Sequence, residues 1–251
     1  MTAPRTDLEI TTKAEERLIV ALDVDSRDKA LTIISELDGL VDTFKIGLQM
    51  FSAEGPAFVA ELIEKGKRIF LDLKFHDIPN TVAKASVEAA RLGVWMFNVH
   101  ASGGSEMMRR AAAEVADFCD GSNRTRPLII GVTVLTSTDS GVMDELSLGS
   151  SIEGHVARLA TLAENSGLDG VVASAGEIGI IRSAVAKTEF LVVTPGIRPN
   201  NATNNDQKRV TTPGSAVSAG ADHIVVGRPV IGAADRRTAA QRILYEIRSA
   251  K

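Results

Sequence analysis

Eight short apolar runs, each of a length that suits a buried strand, recur along the 251-residue chain. They are RLIVALDV (17–24), TFKIGL (43–48), RIFLDLKF (68–75), WMFNVHA (95–101), LIIGVTVLT (128–136), GVVASA (170–175), FLVVTPGI (190–197) and HIVVGRP (223–229). Between them lie Ala-, Glu-, Leu- and Lys-rich segments with helical spacing, such as DKALTIISEL, GPAFVAELIEK, TVAKASVEAARL, SEMMRRAAAEVADF, IEGHVARLATLAENS and AADRRTAAQRILYEIRSA. Gly66, Gly93, Gly167 and Gly220 each close such a segment just before the next run. There a left-handed C-terminal cap suits a residue without Cβ.

Eight alternating strand–helix units in a chain of this length, with no linker or low-complexity stretch, predict one α/β domain over 1–251, a (β/α)8 TIM barrel. Residues 1–15 read as an N-terminal extension. An open doubly wound sheet is the alternative, but the GxGxxG of its dinucleotide-binding version does not follow the first strand. A formal net charge of −4 gives no general attraction to nucleic acid or to an anionic membrane, so any phosphate must be held by a local cluster of donors. The single cysteine, Cys119, cannot form an internal disulfide, and the N-terminus lacks the apolar core of a signal peptide or membrane span. A cytoplasmic protein is expected.

Three strands carry charges toward their C-terminal ends, the end of a barrel where active sites are built. In LDLKF, side-chain alternation puts Asp72 and Lys74 on one face and Leu71, Leu73 and Phe75 on the other. Asp23 in ALD and Lys45 in FKIG repeat the pattern. One buried ion pair could be purely structural, although such pairs often fail to recover their desolvation cost. Three charged strand ends point instead to chemistry. Asp77 follows in a turn, and Pro79 leads into a helix expected to begin near Thr81.

With these motifs, GVTVLTS (Thr136), VTPGIRP (Arg198), DQKRV (Gln207) and VVGRP (Gly227, Arg228), the chain resembles the orotidine 5'-monophosphate decarboxylases over essentially its whole length. The resemblance implies removal of carbon dioxide from orotidylate, with no cofactor and no metal. It implies a charge array of Lys45, Asp72, Lys74 and Asp77, in which Lys74 stands beside the developing carbanion and supplies its replacement proton. Asp23 and Lys45 would bind ribose, Thr136 the pyrimidine edge. Asp77 and Thr81 would come from the neighbouring subunit of a homodimer with shared sites, reaching the ribose hydroxyls and the charge network.

Phosphate sites on such barrels often use the loops after strands seven and eight, which suits Gly227 for close backbone approach and Arg228 for charge. The long polar segment RPNNATNNDQKRVTTP suggests a lid, with Gln207 closing over the phosphate and Arg198 at its base. Arg198 could equally tie down that loop.

His76 and His100 lie near strand ends without a matching ligand set, so structural roles are expected of them rather than metal binding. Gly103 and Gly104 read as a strand-to-helix turn, Cys119 as a small core or surface residue, and Trp95, Met96 and Phe97 as barrel packing. The enzymatic rival is a 3-keto-gulonate-phosphate-type decarboxylase of the same barrel superfamily, which also uses an Asp-x-Lys-x-x-Asp array but with a divalent metal and an enediolate. IPNT (78–81) and the Gln207 segment favour the nucleotide. A non-catalytic nucleotide-binding barrel would require loss of the charge array, and all four charges are present.

Overall fold

Each of the eight apolar runs forms a strand in the computed structural model, which describes residues 13–148, 151–199 and 211–250. In chain order they are β1 (Leu18–Ala21), β2 (Thr43–Gly47), β3 (Arg68–Phe75), β4 (Met96–His100), β5 (Leu128–Val132), β6 (Gly170–Val172), β7 (Leu191–Thr194) and β8 (His223–Val226). Neighbouring strands pair in parallel and β8 returns to β1, which closes the barrel.

Eleven α-helices surround it among the described residues. They are α1 (Ala14–Arg17), α2 (Arg27–Glu36), α3 (Leu48–Glu64), α4 (Pro79–Leu92), α5 (Gly104–Ser122), α6 (Ser140–Glu145), α7 (Ile152–Asn165), α8 (Ile178–Ala184), α9 (Pro213–Ser218), α10 (Arg228–Ile231) and α11 (Arg236–Arg248). Gly66, Gly93, Gly167 and Gly220 all take positive φ, as the sequence predicts. Gly55 breaks α3 into two helices with a φ of 68° before Pro56, so its first half precedes the helical segment read from sequence. Ala14 and Glu15, read from sequence as the end of an N-terminal extension, belong to α1. Glu15 pairs with Arg248 of α11, and Ala14 packs on the core.

Alternation divides the strands into two packed layers. Outward residues such as Leu18, Val20, Phe44, Ile46, Phe97 and Val99 meet the helices, while Ile19, Ala21, Phe70, Met96, Ile130, Val193 and Val225 fill the barrel. Full burial of one such large apolar side chain contributes about 1.5–3 kcal/mol. At the N-terminal mouth, Arg68 lies over the Trp95 ring, 5.0 Å from its centroid, and His223 meets Trp95 edge-on at 5.2 Å. That end is plugged, leaving the C-terminal mouth for a ligand.

Candidate active site

β3 carries the centre of the site and departs from regular pairing there. Phe70 and Leu71 pair with Met96 and Phe97, but Phe75 pairs with Val99, so two extra residues are inserted in β3. Lys74 absorbs this bulge with a φ of 52°, a left-handed conformation that costs a residue bearing Cβ about 1 kcal/mol or more. The predicted division of faces survives. Leu71, Leu73 and Phe75 face an apolar cavity of about 420 Å³ between β3, α3 and α4, while the Lys74 ammonium lies 2.6 Å from Asp72 Oδ1.

The charges form a chain of alternating sign. Lys45, buried on β2, reaches Asp23 Oδ1 at 2.9 Å and Asp72 Oδ2 at 3.5 Å. Asp72 thus stands between two ammonium groups. Burial opposes its ionisation most strongly, but the charges of Lys45 and Lys74, with hydrogen bonds from Lys74 and Asn98, outweigh it and hold the carboxyl below its ordinary range.

A cavity of about 280 Å³ opens beside this chain. Asp23, Lys45 and Asp72 line it together with Arg198, Gly227 and Arg228. Arg198 is buried at the base of the segment after β7, where its N–H donates to Thr211 O. A Cβ on Gly227 would stand 3.6 Å from Ala21 Cβ and 3.8 Å from Asp23 Oδ2, in ordinary contact. Protein packing therefore does not demand the glycine. Its bare backbone faces the cavity.

The remaining predicted residues lie elsewhere. Asp77 Oδ1 accepts from the Ile78 N–H at 2.7 Å, and Asp77 and Thr81 are exposed on the rim. The helix expected near Thr81 begins two residues earlier, with Pro79 in its first turn, because proline lacks the N–H that a first helical turn leaves unused. Thr136, predicted at the end of strand five, lies in the exposed loop beyond it. The ladders of β5 to β4 and to β6 both run out at Val132, and Thr133 makes the last bonds, to Val172 O. Gln207 lies outside the described residues.

His76 and His100 place their rings 5.2 Å apart, and burial, then His76 and Lys74, lowers the His100 pKa. Gly103 and Gly104 make the predicted turn from β4 into α5, and Cys119 is buried. One site residue escaped the sequence reading. Asn98 on β4 is an inward polar residue among packing residues, the same signal that singled out Lys45, but WMFNVHA reads as barrel packing. It donates to Asp72 Oδ1 at 2.7 Å and accepts from the Lys74 N–H at 2.8 Å.

The protein of Syntrophotalea carbinolica called orotidine 5'-phosphate decarboxylase is 49% identical over 238 residues, 95% of this chain and 97% of the relative. That of Carboxydothermus hydrogenoformans is 49% identical over 232 residues, 92% and 96% of the two chains. A crystal structure of orotidine 5'-phosphate decarboxylase from Lactobacillus acidophilus superposes with a TM-score of 0.81 at 34% identity, covering 92% of this chain and 99% of that one. An uncharacterized conserved protein from Geobacillus kaustophilus gives 0.80 at 40% identity, with the same coverage. The profile described as the orotidine 5'-phosphate decarboxylase / HUMPS family matches residues 16–243, and this chain belongs to that family.

Proposed function

We propose that the chain converts orotidine 5'-monophosphate to uridine 5'-monophosphate and carbon dioxide, a step of pyrimidine biosynthesis, without metal or cofactor. The observation that carries this reading is the run of alternating charge Asp23, Lys45, Asp72, Lys74, whose first three members line the same cavity as Arg198 and Arg228.

The C6–carboxylate bond breaks, carbon dioxide leaves, and the bonding pair stays on C6 in the plane of the ring. Lys74 stabilises that pair as an ammonium and transfers a proton to it, closing the C6–H bond; solvent then reprotonates the amine. Asp72 sits beside the departing carboxylate and holds Lys74. A single charge pair at about 4 Å gives only about 4 kcal/mol at an effective dielectric near 20, whereas enzymes at the upper end of rate enhancement supply about 20 kcal/mol or more. Several fixed charges are needed, together with binding energy from the remote phosphate.

Asp23 and Lys45 take the ribose hydroxyls, Thr136 the pyrimidine edge, and Arg228, Arg198 and Gln207 the phosphate, with Gly227 admitting its oxygens. α10 has only four residues, so the Arg228 guanidinium is the main source of charge at that end. Asp77 and Thr81 complete the site of the other subunit in a homodimer of the cytoplasm. Their exposure in a single subunit supports this arrangement. The metal-dependent phosphosugar reading shares the 72–74–77 spacing, but the relatives' names and the IPNT sequence favour the nucleotide.

The test is the loss of orotidylate absorbance, with uridylate as product, on adding chelator-treated protein. Undiminished turnover is expected. Strict dependence on an added divalent metal would contradict the reading.

A further inference from the structure

The two-residue bulge in β3 leaves Lys74 out of step with β4. In a regular parallel ladder its N–H would meet a backbone carbonyl of the neighbouring strand; here it meets the side-chain Oδ1 of Asn98 at 2.8 Å. The other end of that amide donates to Asp72 Oδ1 at 2.7 Å, the oxygen that also accepts from Lys74 Nζ at 2.6 Å. The partners fix the orientation of the amide, because only its oxygen can accept from an N–H and only its nitrogen can donate to a carboxylate. Asn98 is 1% exposed and does not line the ligand cavity.

We propose that Asn98 is a positioning residue for the decarboxylation, a brace that fixes the Lys74 backbone and the Asp72 carboxylate against each other without touching substrate. The inference rests on the function proposed above. Asparagine suits the task because it offers one donor and one acceptor at equal reach. Aspartate would face Asp72 with a second carboxylate and offer it no donor. Leucine would leave the Lys74 N–H buried and unpaired, and glutamine is too long for a site packed to 1% exposure. A brace acts on the placement of charges at the reacting carbon, so its loss falls on kcat. Ribose and phosphate contacts, and with them KM, stay as they are.

The experiment is steady-state kinetics on orotidylate with Asn98→Asp and Asn98→Ser, alongside hydrogen exchange of the Lys74 amide by NMR. Both variants are expected to lose on the order of 10- to 100-fold in kcat, the effect of losing the hydrogen bond to the charged Asp72 with or without the one from the Lys74 backbone. Their KM should stay within about threefold, the signature of an interaction that serves the transition state. Asn98→Ser, which keeps a shorter hydroxyl, should lose less than Asn98→Asp, and it carries the same test if the aspartate variant does not fold. A kcat close to wild type, or a loss confined to KM, would overturn the proposal. Wild-type protein inactive on orotidylate would instead overturn the function, and amide exchange then decides the brace. A Lys74 amide protected in wild type and fast-exchanging in Asn98→Ser supports it; equal protection in both overturns it.

Discussion

A methyl group on Gly47 would stand 2.9 Å from Lys45 Nζ and 3.4 Å from Asp23 Oδ1. The glycine of FKIG therefore makes room for the ammonium that links Asp23 to Asp72. Since the end of a lysine side chain moves easily, Gly47→Ala would displace the charge more than the fold. We expect turnover to fall about tenfold or more while Tm changes by less than about 3 °C, as for a substitution that leaves the core intact. Kinetics beside thermal unfolding check this, and unchanged turnover would contradict it. The depressed Asp72 carboxyl has its own pH signature. Its contribution to stability is present in full above the ordinary carboxylate value of about 4 and is lost as pH falls through the folded-state value. Asp72 thus stays charged across the neutral range.

At the scale of elements, the short central strands leave little tolerance between neighbours. A Cβ on Gly170, the first residue of β6, would run into the carbonyl oxygen of Leu191 on β7 and stand 2.6 Å from its Cβ. Gly170→Ala should lower stability by roughly 1–3 kcal/mol, the cost of overpacking where backbone must move, and a thermal or urea melt would show it. All eight strands were legible because each is an apolar run bounded by turn or helix signals. The longer helices were legible from their period and their closing glycines. The short ones, α6, α8, α9 and α10, were not, since four to seven residues hold barely two turns of periodicity and their starts depend on local bonds such as that from the Val142 N–H to Asp139 Oδ1. Thr136 was misplaced for a related reason: β5 ends where its partners β4 and β6 both stop pairing, at Val132, and those partners are distant segments. The charge chain could be read from alternation, but neither the left-handed turn at Lys74 nor the amide of Asn98 that meets it could. Both follow from how β3 and β4 register.

At the scale of the whole molecule, the two barrel ends answer to different demands. At the closed end, burial lowers the pKa of His223 despite the bond between its Nδ1 and Glu16 O at 2.9 Å. The folded protein prefers that ring neutral. It therefore binds fewer protons than the unfolded chain below the ordinary value of about 6.5, and stability must fall as pH drops through that window. Tm measured from pH 7.5 to 5 should decline, and His223→Gln should flatten the decline; an unchanged slope would contradict this. At the open end, Asp77 and Thr81 are exposed beside Ile78, which is 66% exposed. A rim of this kind fits a site completed by a second copy. The most direct test of a site assembled from the charges of two subunits mixes Lys74→Ala protein with Asp77→Ala protein, lets the dimers reassort, and measures orotidylate turnover. Each parent should be inactive. Each mixed dimer should hold one intact site and one doubly defective one, so random reassortment should restore about a quarter of wild-type activity, half the dimers having one of two sites intact. A mixture that stays as inactive as its parents would contradict the account.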